Sequence, residues 1–165
     1  MRIVIGYASF PNTEHLGVPL VSQNRQFQWF NEPTFIYPVI PAYAATMLSA
    51  LGHEVYWIDG PAMGYDYNAY MTAIGKIRPD LMIFEAKTPV IKRLWEVIND
   101  IKEVLPNTKI IVCGDHVTAM PEETLENSRT DCVVEGGDYD FSVKGIATML
   151  GKKLAKGAFE LPDRS

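Results

Sequence analysis

The feature that most constrains the fold of this chain is a regular alternation of short apolar runs with longer segments of helical period. The apolar runs are rich in β-branched residues and read RIVIG, EVYWID, DLMIFE, KIIVCG and DCVVEG. Strands that alternate with helices form parallel sheets, because each crossover helix returns the chain to the same edge of the sheet. We therefore predict an α/β fold, a doubly wound five-stranded parallel sheet of Rossmann-like or flavodoxin-like type.

The helical segments carry recognisable end signals and apolar faces. PAYAATMLSALG has Pro41 in a first turn and Gly52 as a C-terminal cap, and IKRLWEVINDIKEVLP is the most amphipathic segment. PEETLEN predicts a short helix, and a last helix is expected over residues 139–154. In doubly wound sheets ligands bind outside the carboxyl ends of the strands, so the loops after the strands are the expected site.

One long segment, residues 7–38, has no convincing period and is predicted to be a long aromatic loop. Its aromatic content, which includes Trp29 and Tyr37, argues against disorder. Two interpretations stay open. The segment is either a lid over the domain's own core or a surface that meets a second domain or a large planar ligand.

Composition excludes several classes of protein. The chain has 165 residues, 47% hydrophobic and 21% charged, with a net charge of -5, which is typical of one globular domain and unfavourable for nucleic acid. Cys113 and Cys132 lie in apolar runs and are expected to be buried, reduced thiols. No signal peptide or membrane span is apparent, so we predict a cytoplasmic location.

Familiar catalytic and nucleotide-binding motifs are missing from the sequence. It has no GxxxxGK[ST], no GxGxxG after the first strand and no GxSxG. A signalling receiver needs acidic residues where this chain has Tyr7, Ala8 and Ser9. No Cys/His cluster has metal-ligand spacing. We therefore predict no catalytic residues and no protein metal ligands, and expect the chain alone to be non-catalytic.

Polar and small residues follow three of the predicted strands. Glu85, Ala86, Lys87 and Thr88 come after the third strand, and Glu135, Gly136 and Gly137 follow the fifth. The fourth strand ends in Gly114, Asp115, His116, Val117 and Thr118. Glycine permits close approach to the backbone, and threonine hydroxyls can bind phosphates or amides. His116 is open to three interpretations: an acid, a ligand or a structural turn residue.

These loops resemble a known family. The segments YPVIPAYAATMLSALGHEVYWID, IRPDLMIFEAKTP, IKEVLPNTKIIVCGDHVTAMPEE and DCVVEGGDYDFSV are similar, in order, to the N-terminal cobalamin-binding domain of class B radical S-adenosylmethionine enzymes, the group of the anaerobic magnesium-protoporphyrin ester cyclases. CGDHVTAMPEE resembles the family's Gly-Gly-Pro-His-x-Thr turn with its following Pro-Glu-Glu. GGDYDFS resembles Gly-Glu-Tyr-Asp-Tyr-Thr.

The resemblance implies a cobalamin-binding domain over residues 1–155 and, over 156–165, a linker toward a radical S-adenosylmethionine barrel, in cis or in trans. It also implies that the 114–118 segment is a turn against which the corrin lies, and that small residues admit its nucleotide tail. The cofactor-binding residues implied or suggested are Ala8, Ser9, Asn24, Arg25, Tyr37, Glu85, Ala86, Lys87, Thr88, Gly114, Asp115, His116, Val117, Thr118, Glu135, Gly136 and Gly137, with Gln26 beside Arg25.

The sequence departs from related cobalamin proteins in two ways. Mutases and methionine synthase carry Asp-x-His-x-x-Gly, whereas NTEHLGV has His15 without that aspartate and glycine, so we predict base-off cobalamin without a protein histidine on cobalt. The pair Cys113 and Cys132 cannot supply the three thiolates of a CxxxCxxC cluster site. The [4Fe-4S] cluster and S-adenosylmethionine would therefore belong to the other domain, with methyl transfer or related radical chemistry as the expected reaction.

Two rival functions remain open. A flavodoxin-like domain can bind flavin, with the aromatic residues around Trp29 and Tyr37 stacked on its ring. Alternatively, the domain is a ligand-free docking module, in which case Phe27, Trp29 and Phe30 would be exposed to solvent.

Overall fold

A computed structural model of the chain describes residues 1–13, 16–21, 27–32, 35–136, 142–148 and 150. The strands are β1 Arg2–Tyr7, β2 Val18–Val21, β3 Phe27–Phe30, β4 Glu54–Asp59, β5 Leu81–Glu85, β6 Lys109–Cys113 and β7 Cys132–Val134. The α-helices are α1 Val39–Ala50, α2 Tyr67–Ile77, α3 Ile91–Val104, α4 Asp115–Ala119 and α5 Pro121–Asn127. A 3-10 turn, Thr88–Val90, precedes α3, and residues 142–148 are helical.

Five of these strands form one parallel sheet in the order β4-β1-β5-β6-β7. The chain runs outward from β1 to the edge strand β4 and then crosses back to β5, so the strand order reverses between β1 and β5. This is the flavodoxin-like order of a doubly wound sheet. The predicted fold class is confirmed.

The sheet separates two hydrophobic cores, because successive strand residues point to opposite faces. Val4, Met82 and Ile110 face α2 and α3, where Tyr70, Ile74 and Ile98 are buried against them. On the other face, Ile3, Ile5, Leu81 and Ile83 pack against Ala44 and Leu48 of α1 and against Val143 and Ala147. Both faces of the sheet are therefore covered by helices.

The helices follow the end signals of the sequence closely. Pro41 lies in the first turn of α1, and Gly52 adopts a φ of 83° just beyond its last turn, as predicted. Asp66 caps α2 by accepting a hydrogen bond from the Ala69 amide at 2.7 Å. Helix α3 buries its expected apolar face and, unexpectedly, Lys102, whose ammonium lies 2.5 Å from an Asp131 carboxylate oxygen.

Two expectations need correction. The segment 7–38 is not one long loop: Tyr7 belongs to β1, and β2 and β3 pair antiparallel, with Val18 opposite Phe30. Trp29 packs against the core, beneath the Arg93 guanidinium. The strands were missed because each has only four residues and β2 contains a proline. The predicted turn after β6 is instead the short helix α4.

Candidate functional site

The loops that follow β1, β5, β6 and β7 meet at one edge of the sheet, because these four strands are neighbours and parallel. This carboxyl edge includes the point at which the strand order reverses. Predicted site residues from all four loops are thus brought together. Asn24, Arg25, Gln26 and Gly137 lie outside the described residues.

A charged cluster closes the edge between β5 and β6. The Tyr7 hydroxyl donates to a Glu85 carboxylate oxygen at 2.5 Å, and the other Glu85 oxygen lies 2.7 Å from the Lys87 ammonium. Lys87 also lies 3.6 Å from Asp115. Glu85 and Lys87 have only 6% and 9% of their side chains exposed, so their opposite charges compensate for lost hydration. The Lys87 ammonium is therefore engaged by carboxylates of the protein itself. Asp115, in contrast, is 62% exposed and accessible to a ligand.

Gly114 is required by the protein's own backbone. Its φ is +107°, and a Cβ placed there would lie 2.8 Å from the Ala86 carbonyl oxygen. The Ala86 amide donates to the Cys113 carbonyl at 2.6 Å, which draws the two loops together. The close approach predicted for this glycine is therefore made by the loop after β5.

Other small residues of the predicted tail slot are also covered. Ala8 and Ala86 are 4% and 0% exposed, and Val117, from the segment predicted to face the corrin, is fully buried. The Ser9 hydroxyl is buried as well and donates to the Tyr65 carbonyl at 2.8 Å. These residues therefore lie beneath the exposed surface of the carboxyl edge.

His116 points into the protein, although it comes directly after the strand. Its ring is 3% exposed, with Nδ1 lying 3.3 Å from the Thr88 hydroxyl and an edge-to-face contact with Trp95. Nε2 lies 3.3 Å from a Glu123 carboxylate oxygen, close enough for an ion pair. The geometry is not that of a hydrogen bond, and Nε2 is a buried nitrogen without a hydrogen-bond partner among the described residues.

The exposed part of the edge is polar. Thr118 links two loops, because its hydroxyl donates to the Gly114 carbonyl at 2.9 Å and accepts from the Gly136 amide at 3.0 Å. Gly136 has a φ of +93° and open space where a Cβ would lie. The predicted site residues that are exposed on these loops are Thr88, Asp115, Thr118, Glu135 and Gly136. Hydroxyls, carboxylates and a glycine with free space suit an amphipathic ligand with amide groups.

Tyr37 is placed elsewhere on the molecule. It is 70% exposed and stacks against Trp57 of the edge strand β4, with ring centroids 6.5 Å apart. It belongs to an exposed apolar stretch that begins at Phe35 and continues into α1. The large exposed side chains of this stretch are Phe35, Ile36, Tyr37, Val39, Ile40 and Tyr43.

Sequence reasoning did not identify a pocket beside His116. This pocket has a volume of about 490 Å³ and is lined by Thr88, Pro89, Ile91, Lys92, Arg93, His116, Met120 and Glu123. The Pro-Glu-Glu sequence that follows His116 was the available signal. A second pocket, of about 300 Å³, lies between the loops after β1 and β4 and strand β2.

The described part of the chain contains no group of three or more His, Cys, Asp or Glu residues arranged to hold a metal ion. Nor does any helix in that part combine the length and apolar character needed to cross a membrane.

Cys113 is buried, and burial raises the pKa of its thiol, with nearby Glu85 adding to the effect. Cys132 is only half-buried, contrary to expectation, and desolvation again raises its pKa.

Solved structures with the same fold include response regulators. HP1043, an orphan response regulator of H. pylori, has a TM-score of 0.51 and 14% identity, covering 93% of this chain and 96% of its own. The Mn²⁺-bound response regulator Rcp1 has a TM-score of 0.51 and 16% identity, covering 98% and 99%. NtrX from Brucella abortus, in complex with ADP, has a TM-score of 0.51 and 13% identity, covering 99% and 30%. At these identities the likeness concerns the fold alone.

Comparison of the sequence with known proteins identifies a family, whereas the structural likeness concerns the fold alone. The chain is 28% identical over 115 residues to "Uncharacterized methyltransferase PH0819" of Pyrococcus horikoshii, an alignment that covers 70% of this chain and 25% of that protein. The chain thus spans about a quarter of this relative's length. The model of the family described as "B12 binding domain" matches residues 34–160, most of the chain and all loops of the carboxyl edge except the one after β1. The chain belongs to the B12 binding domain family.

Proposed function

We propose that this domain holds cobalamin at the carboxyl edge and presents it to a separate catalytic domain. The observation that carries the proposal is the polar, exposed surface built by the loops after β5, β6 and β7, within the region matched by the family. A closed ionic cluster lies beneath it, formed by Tyr7, Glu85 and Lys87. These contacts hold the ends of β1 and β5 together beneath the surface on which the protein would orient the cofactor.

The exposed groups suit the chemistry of a corrin rim. Its carboxamide nitrogens need hydrogen-bond acceptors, which the exposed Asp115 and Glu135 carboxylates can provide. Gly136 leaves room for a bulky group near the end of β7. In this arrangement Ala8, Ser9, Ala86 and Gly114 support the ligand from below. The nucleotide tail would then run toward Gly136.

We further propose that no protein histidine binds cobalt and that the cofactor is held base-off. His53 precedes β4 and so lies toward the amino edge of the sheet. His116 is buried and held between Thr88 and Glu123. Both positions oppose coordination above the carboxyl edge. His15 lies outside the described residues, and its sequence context lacks the expected aspartate and glycine.

The reaction proposed for the parent protein is methyl transfer or related radical chemistry. Bound cobalamin supplies a cobalt centre that can accept and release a methyl group. The [4Fe-4S] cluster and S-adenosylmethionine would sit in a radical S-adenosylmethionine domain, because Cys113 and Cys132 are too few to hold a cluster and Cys113 is buried. One relative is named a methyltransferase and is much longer than this chain. It supports the proposal that cobalamin binding and catalysis lie in separate domains.

A ligand-free docking module is the second candidate function. It is favoured by the exposed apolar stretch from Phe35 to Tyr43, which has the character of a surface for a protein partner. The aromatic residues first expected to dock do not favour it, because Trp29 and Phe30 are partly buried. The side chain of Phe27 is outside the described residues. Flavin binding gains no support, because Trp29 lies under Arg93 and Tyr37 stacks on Trp57.

The test is to incubate the protein with hydroxocobalamin, remove free cofactor on a desalting column and record the absorption spectrum. We expect retained corrinoid with a base-off spectrum. Spin resonance of the Co(II) form should lack the splitting from an axial protein nitrogen. A colourless protein would support the docking module, and a nitrogen signal abolished by His15→Ala would overturn the absence of a histidine ligand.

A further inference from the structure

The pocket beside His116 is a feature that the proposed cofactor site does not yet use. It lies where the loop after β5 and the first turn of α3 face α4 and α5, at the carboxyl edge. Pro89, Ile91 and Met120 contribute apolar walls. Met120 is 54% exposed, so this wall is accessible from outside.

The polar groups of this pocket have mixed charge. Glu123 provides a carboxylate, Lys92 an ammonium group and Thr88 a hydroxyl. Arg93 is already occupied, since its guanidinium donates to the Pro11 carbonyl at 3.2 Å and lies over Trp29. An anionic ligand would be repelled by Glu123, and a cationic one by Lys92. A neutral primary amide, which donates through nitrogen and accepts through oxygen, satisfies both groups.

His116 lies next to the Glu123 carboxylate and is itself held in place. Its Nδ1 is held by Thr88 and its ring by Trp95, whose own Nε1 donates to the Thr124 hydroxyl of α5 at 3.3 Å. Nε2 is buried and has no hydrogen bond to any described residue, a state that costs about 1 to 3 kcal/mol. A small movement of Glu123, already 3.3 Å away, would complete that bond. A ligand that draws the carboxylate into line would therefore be favoured.

We propose that Glu123, positioned by His116, accepts a hydrogen bond from a carboxamide arm of the corrin ring in this pocket, and that Lys92 donates to the carbonyl oxygen of the same arm. This inference rests on the proposed cobalamin binding. It adds Glu123 and Lys92 as binding residues and gives His116 a positioning role.

The test compares two corrinoids that both lack the nucleotide tail. Cobinamide keeps the carboxamide arms, whereas cobyrinic acid heptamethyl ester carries esters, which accept but cannot donate hydrogen bonds. Dissociation constants are measured for both with the wild type, Glu123→Ala and Glu122→Ala. Glu122 is the matched control, because it is the exposed neighbour on the same turn of α5 with the same charge.

We expect Glu123→Ala to weaken cobinamide binding about tenfold, the effect of one charge-assisted hydrogen bond, and to leave the ester unchanged. Glu122→Ala should alter neither. His116→Phe should produce the same loss of preference for the amide, and Glu123→Ala should add nothing in that background. If His116→Phe does not fold, the Glu123 and Glu122 variants still decide the matter.

Equal effects of Glu123→Ala on both corrinoids, or no effect on either, would overturn the inference while leaving cobalamin binding intact. A wild-type protein that binds neither corrinoid would overturn both proposals together. Thermal unfolding of every variant distinguishes loss of the pocket from loss of the fold.

Discussion

The two edges of the sheet carry charged clusters of opposite character. At the amino edge, Asp131 accepts hydrogen bonds from Lys102 at 2.5 Å, Lys109 at 2.8 Å and the Ile110 amide at 2.9 Å. At the carboxyl edge, Lys87 joins a buried Glu85 to a mostly exposed Asp115, and the Nε2 of His116 has no hydrogen-bond partner in the part of the chain that the structure describes. One cluster satisfies its groups internally, and the other leaves groups for a ligand. The contrast supports the proposal that the carboxyl edge binds a ligand, whereas the cluster at the amino edge stabilises the fold.

The largest effect is expected from Asp131→Asn at the amino edge. It leaves the Lys102 ammonium, 6% exposed, without its carboxylate, and the free energy of unfolding should fall by about 3 kcal/mol. Urea denaturation measures this value. Glu103→Gln is the control, because its ion pair with Arg129 is exposed and should contribute less than about 1 kcal/mol. Cobalamin binding by the folded Asp131→Asn protein should be unchanged.

The same pair predicts a pH dependence. Burial alone would raise the pKa of Asp131, but hydrogen bonds from Lys102, Lys109 and the Ile110 amide lower it below its ordinary value. A depressed folded-state pKa means that the stabilisation is complete above the unfolded pKa of about 3.9 and is lost as the pH falls through the folded value. The difference in unfolding free energy between wild type and Asp131→Asn should therefore shrink in acid. A constant difference from neutral pH to pH about 2 would contradict this assignment.

Gly114→Ala is expected to have the next largest effect, now at the carboxyl edge. Its φ of +107° and the Ala86 carbonyl at 2.8 Å both oppose a Cβ, so stability should fall by about 2 kcal/mol or more, with weakened cobalamin binding as the loops separate. Gly136→Ala is the matched control. Its φ is also positive, but it has open space, so about 1 kcal/mol is expected. Equal losses would mean that the Ala86 contact is unimportant.

A smaller effect is expected from Thr118→Val, which keeps the side-chain volume but removes the hydroxyl between Gly114 and Gly136. The fold should lose about 1 kcal/mol. Cobalamin affinity should fall, because the loop after β7 loses its tie to α4. Isothermal titration calorimetry measures the affinity, and an unchanged dissociation constant would remove Thr118 from the site.

The smallest effect concerns the thiols, which sit on adjacent strands of the same sheet. Burial raises the pKa of both thiols. Cys113 is buried, whereas Cys132 is half-buried. At pH about 8, near the ordinary thiol pKa, a thiol reagent should leave Cys113 unmodified in the folded protein and label Cys132 slowly. Mass spectrometry after timed labelling identifies the modified residue. Rapid labelling of Cys113 would indicate that the loops above β6 open readily.

Secondary-structure elements leave a pattern in the sequence and could be predicted, whereas the orientation of single side chains leaves none. The sheet and helices α1 to α3 could be predicted because burial on both faces gives strands such as KIIVC a continuous apolar run, and burial of one face gives α3 a helical period. The orientation of His116 could not, since a histidine after a strand has the same sequence context whether it turns inward or outward. Buried Lys102 was hidden for a similar reason: its partner Asp131 is distant in sequence.

Amide hydrogen exchange can locate the proposed cobalamin site on the sheet. The most direct measurement is amide hydrogen exchange with and without hydroxocobalamin, followed by peptide mass spectrometry. We predict added protection in the loops after β5, β6 and β7, around residues 86–90, 114–120 and 135–136, and none at the amino edge around 106–109 and 129–131. Protection at the amino edge instead, or cobalamin binding without protection of these loops, would contradict the proposal.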